Sequence, residues 1–146
     1  MSFFKIEKTQ AYAEFAIYGY NLDVNKLTSM LIPQTNYIGK SEDDIVKTNN
    51  LRWSPAESVD EADLWAYSTN QVATAYLEDR LEELIEVFRE KTNEINSVRK
   101  MYRGCEVIIF IVVHNRQKLF PGIAIRENQI SFLAEIGARL EFDIYT

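Results

Sequence analysis

The chain has 146 residues, 47% of them hydrophobic and 26% charged, the size of one domain able to fold without disulfide or metal. Its formal net charge of −6, from 22 acidic and 16 basic side chains, gives a field that repels phosphate backbones and argues against general nucleic-acid binding. The hydrophobic share excludes a disordered tail, and no run reaches the roughly 20 apolar residues of a membrane helix. Residues 1–10 include Lys5, Glu7 and Lys8 and lack the apolar centre of a secretory signal, so a cytoplasmic protein without membrane association is expected.

Residues 12–18 alternate, with Ala13, Phe15 and Ile17 pointing one way and Tyr12, Glu14 and Tyr18 the other, as in a strand. A turn follows at residues 19–22. Asp23 is placed as a helix N-cap, with Leu22 and Leu27 spaced as a hydrophobic staple. Leu27, Met30 and Leu31 form the stripe of a short helix, which Pro33 stops. Residues 34–50 are polar and predict a loop whose tip holds Ser41, Glu42, Asp43 and Asp44. Residues 51–54 predict a short strand ended by Pro55; residues 57–63 are acidic; residues 64–69 predict a strand with Trp65 and Tyr67 on one face.

Leu77, Leu81, Leu84, Ile85 and Phe88 recur at helical spacing, opposite a face of acidic and basic residues. Ile95, Val98 and Tyr102 continue that helix after a break near Asn93. Residues 107–113 are apolar on both faces, which predicts a central strand covered on both sides. Pro121-Gly122 is a turn, and residues 123–125 predict a short edge strand. Ile130, Leu133, Ala134 and Ile136 mark a further helix, closed by Gly137. Leu140, Phe142 and Ile144 alternate with Glu141, Asp143 and Tyr145 in a half-exposed last strand. The sum is a single α+β domain over residues 1–146. Its sheet is antiparallel or mixed with helices mainly on one face, and its core is ferredoxin-like, β-α-β-β-α-β, with an additional α-β.

The chemistry-bearing residues are few. Cys105 beside an apolar run reads as a small core residue. His114 would lie roughly 30 Å from it along one strand, so the two form no dyad. One His and one Cys make no ordinary zinc site, and Glu42, Asp43 and Asp44 lack the spacing of a calcium loop. The glycines stand alone, without a phosphate-cradling pattern. Arg99, Lys100 and Arg103 around Tyr102 read as a solvated helix end. No cofactor, metal or catalytic residue is expected, and the question of an enzyme stays open with the balance against it. Trp53, Trp65, Tyr67 and Tyr76 have two readings, as filling of the sheet–helix core or as an aromatic surface on an uncovered sheet face. In the second, Trp53, Trp65 and Tyr67 anchor a partner while Asp43, Asp44, Asp60 and Glu61 supply charge.

Several stretches together resemble a known family. They are Tyr12-Ala13-Glu14-Phe15-Ala16-Ile17-Tyr18-Gly19, Trp53-Ser54, the long acidic helix, Pro121-Gly122-Ile123, and the ending from Phe132-Leu133-Ala134-Glu135-Ile136-Gly137-Ala138 to Asp143-Ile144-Tyr145. In order and over nearly the whole chain they resemble the DUF4279 family of small bacterial proteins. The resemblance implies a single α+β domain of bacterial cytoplasmic origin and carries no catalytic residue across. The favoured function is a non-catalytic protein-binding module, immunity-like, whose acidic surface takes a basic protein partner. The alternative is a small-ligand binder with a pocket between sheet and helices. A half-covered sheet also makes a homodimer reasonable.

Overall fold

A computed structural model of the protein describes residues 9–32, 51–55, 62–74, 76–115 and 121–145. Its spine is β1 (Gln10–Gly19), whose alternation sends Ala13, Phe15 and Ile17 into one cluster of buried residues and leaves Tyr12, Glu14 and Tyr18 on the opposite face. The remaining strands are β2 (Leu51–Pro55), β3 (Asp63–Ser68), β4 (Val72–Ala73), β5 (Glu106–His114) and β6 (Ala138–Tyr145). They form one mixed sheet in the order β2-β3-β1-β5-β6, with the short β4 pairing the start of β1. Every pairing is antiparallel except β5 with β6, which is parallel.

The helices are α1 (Val24–Leu31), α2 (Leu77–Phe88), α3 (Thr92–Met101) and α4 (Glu127–Glu135). Asp23 caps α1 by accepting a hydrogen bond from the Lys26 amide at 3.1 Å. Leu77, Leu81, Leu84, Ile85 and Phe88 of α2 are all buried, and Phe88 stacks on Phe15 of β1 with ring centroids 4.4 Å apart. The expected break near Asn93 falls slightly earlier, as a 3₁₀ turn at Arg89–Lys91, and Ile95 and Val98 then continue the buried stripe. Gly137, at φ +63°, takes the left-handed position after α4, and its amide reaches the Ala134 carbonyl at 3.1 Å.

Polar side chains tie these layers together. The Trp65 indole donates to the Thr28 hydroxyl at 3.1 Å, joining β3 to α1, and the Leu22 amide donates to Asp63 at 3.0 Å. Buried Gln129 donates to the Glu78 carbonyl and to Glu82, and accepts from the Arg126 amide, fixing the start of α4 on α2.

Two expectations need correction, and one short strand was not expected. Residues 123–125 form no strand, although Ile123 and Ile125 pack against the core. The buried side of α4 carries Gln129, Phe132 and Leu133, while Ile130 is 55% exposed and Ala134 is also exposed. An amide that finds two partners on α2 is as well placed inside as an isoleucine, which apolar periodicity cannot register. The stretch β4 had no counterpart in the sequence reading. It forms because the chain steps out of the ladder at residues 69–71 and then rejoins β1, with Thr69 bridging the step. Its amide donates to the Ala13 carbonyl and its hydroxyl accepts from the Ala13 amide, both at 2.9 Å.

Candidate functional site

All four described helices contribute buried residues to the large cluster on one face of the sheet, and among the described residues the cluster on the other face contains no helix residue. That second face is built by the alternate residues of five strands. Glu14 lies opposite Ser68 on one side and Phe110 on the other, Phe110 neighbours Glu141, Tyr12 is opposite Val112, and Val112 neighbours Asp143. A cleft of about 670 Å³ opens here. Its walls are the rings of Tyr12, Tyr18, Phe110 and Tyr145, with the step at residues 69–71 closing one side.

At its floor Glu14 is buried, its side chain 7% exposed, in the middle of an otherwise apolar strand. A charge in such a place requires partners. Arg52, brought across from β2 by the β2–β3–β1 order, donates to both carboxylate oxygens at 2.6 and 3.1 Å, and the Ser68 hydroxyl donates at 2.8 Å. The bidentate geometry with Glu14 raises the Arg52 guanidinium above its ordinary value, so the guanidinium stays charged.

The flanking phenols feel this environment. Burial, followed by Glu14, pushes Tyr12 above its ordinary value of 10.0. Burial also raises Tyr18, with Arg52 opposing. At the rim the Tyr145 hydroxyl donates to Asp143 at 2.8 Å, which raises that phenol too, and the Tyr145 ring stacks on His114 with centroids 5.1 Å apart. The cleft therefore holds neutral phenols, two carboxylates and one guanidinium that Glu14 already engages.

The aromatic residues singled out from the sequence lie on the other side of the sheet. Trp65 is 1% exposed and meets Phe15 edge-on; half-buried Tyr67 meets Phe88 edge-on; half-buried Trp53 packs against the same core. Tyr76 is 63% exposed beside the start of α2. Asp43, Asp44, Asp60 and Glu61 lie outside the described residues. The structure thus brings together Trp53, Trp65 and Tyr67, but beneath the helices.

The sequence places Tyr12, Glu14 and Tyr18 on one strand face without marking them as a site, although one signal is present. A lone glutamate between tyrosines on one side of an apolar strand must find a counter-charge, which the sequence cannot name. Cys105 is half-buried, and burial lifts its thiol above the ordinary 9.0, which makes it a poor nucleophile at neutral pH. Among the described residues no group of His, Cys, Asp and Glu converges to hold a metal, and no helix is long and apolar enough to cross a membrane.

The family model for DUF4279, a domain of unknown function, matches residues 9–146. No curated protein and no solved structure matches the chain. The match begins where β1 begins and spans every described element, and on that extent the chain belongs to the DUF4279 family.

Proposed function

We propose that the protein is a non-catalytic binding module that receives a basic protein partner on the face of its sheet opposite the described helices. The observation that carries this reading is the cleft itself: four aromatic rings around a floor where the Arg52 guanidinium is already engaged by Glu14, with Asp143, which accepts from the Tyr145 hydroxyl, at the rim. Such a surface suits a lysine or arginine side chain, which gains from ring faces and from carboxylates together. The contact surface in this reading is Tyr12, Tyr18, Phe110 and Tyr145, with Trp53, Trp65 and Tyr67 supporting the sheet from behind. Asp43, Asp44, Asp60 and Glu61 contribute to the acidic field that draws the partner in. A cytoplasmic setting is part of the proposal and is supported by the single, unpaired cysteine. The finer description of the core as ferredoxin-like is likewise proposed. The order β2-β3-β1-β5, antiparallel throughout, supports it, since β3 lies between β2 and β1 and β1 lies between β3 and β5.

The test is affinity capture from a lysate of the native host at low and high salt, with the wild type and with Tyr12→Ala. One stoichiometric basic partner, retained at low salt and lost both at high salt and on Tyr12→Ala, is the expected result. Clean capture without a partner at either salt overturns it.

A second reading, a small-ligand site, is favoured by the cleft volume, which lies within the range of small-molecule pockets. It would place the ligand on the open face instead of between sheet and helices. Thermal stabilisation by a metabolite, insensitive to salt, would distinguish it.

A further inference from the structure

The terminal strand β6, whose Asp143 and Tyr145 form the rim of the cleft, presents a second surface along its outer edge. It ends the sheet, and among the described residues no strand pairs its outer edge. At the opposite end β2 has five residues and finishes in a proline; β6 has eight and contains neither proline nor glycine. An open edge of that length is a template for another strand unless it is covered or broken up. On its helix side Ala138 and Leu140 pack against the core, but Phe142 and Ile144 remain 42% and 48% exposed. On its other side stand Arg139, Glu141 and Asp143, and the Arg139 side chain is 53% exposed.

We propose that this edge pairs with the same edge of a second copy of the chain, β6 against β6 and antiparallel, about a two-fold axis at Leu140. The charge pattern is what selects a copy of itself. With Leu140 on the axis, Arg139 faces Glu141 of the second copy and Glu141 faces its Arg139, so both cross-strand charge pairs are of opposite sign. On the helix side Leu140 meets its own counterpart, and Ala138 faces Phe142 of the second copy, small against large. Moving the axis to Glu141 sets that carboxylate against itself, and moving it to Phe142 sets Glu141 against Asp143. Like charges directly opposite weaken a strand pair, so among the registers centred on residues 139–143 the Leu140 register is the one without such a conflict. The contact is isologous and closes at two copies, joining two sheets into one. Arg139 already touches Glu141 of its own strand at 2.9 Å and Glu106 at 3.5 Å; its five donors leave capacity for a further carboxylate.

Sedimentation velocity over a concentration series tests this with four proteins: wild type, Arg139→Glu, Glu141→Arg, and the double exchange. The wild type is expected to dimerise. Each single change sets like charges opposite each other and should weaken the dimer about tenfold or more. The double exchange restores opposite signs in the Leu140 register and should recover the dimer. Circular dichroism of all four should be unchanged, because both side chains stand at the surface. A wild type that stays monomeric up to about millimolar concentration overturns the proposal. So does a dimer indifferent to both single changes, or a double exchange that fails to recover.

Discussion

The two faces of the sheet use the same five strands for opposite ends. Beneath the helices the side chains are apolar and interlocked: Phe15 stacks on Phe88, Trp65 and Tyr67 meet those rings edge-on, and Trp65 sends its one polar atom to Thr28. On the opposite face the same strand β1 carries a glutamate and two tyrosines, and the sheet there stays open as a cleft. Burial of about 25 cal/mol per Å² of apolar surface explains why the first face exists. It does not explain Glu14, because a buried carboxylate adds little to stability over an apolar side chain of similar shape. A residue that stability alone would not select, held by three hydrogen bonds at the floor of a cleft, is what the proposed function rests on.

The sharpest way to break this contrast is to truncate each face in turn. Trp65→Ala on the helix side should cost about 3–5 kcal/mol, since it opens a cavity and strands the Thr28 hydroxyl. Urea unfolding should show a lower midpoint at an unchanged slope. On the open face, Arg52→Ala leaves the Glu14 carboxylate with Ser68 alone and should cost about 1–3 kcal/mol by the same measurement, with Glu14→Gln milder. A loss on Arg52→Ala equal to that of Trp65→Ala would mean the ion pair is structural in the same sense as the core.

A pH titration sharpens the comparison without mutation. Tyr12 and Tyr18 have folded-state values raised above the ordinary 10.0. The neutral phenols are therefore favoured by folding. Their contribution is complete below about pH 10 and is lost as pH rises through the folded-state values. Ultraviolet absorbance near the phenolate band should show these two phenols titrating later than a free tyrosine, with stability falling over the same interval. The smallest effect belongs to the rim. Tyr145→Ala removes a 51% exposed ring and should leave the urea midpoint almost unchanged. The same change should still weaken partner capture, and no loss of capture would place the contact elsewhere.

Local periodicity alone determined a good deal. The alternation in β1, the 4-3-1-3 spacing of α2, the Asp23 cap and the Gly137 stop are each set by neighbours a few residues away, and each stands in the structure as read. The α+β class and the family follow from the same stretches. What only the tertiary structure decided depends on residues far apart in the chain. Glu14 meets Arg52 across 38 positions because β3 lies between their strands, and Gln129 turns inward because α2 offers it a carbonyl and a carboxylate. Which face of the sheet the helices cover is a property of strand order, so Trp65 and Tyr12, both aromatic residues of strands, end on opposite sides. Side-chain periodicity fixes which residues share a face, but only long-range register decides what that face will meet.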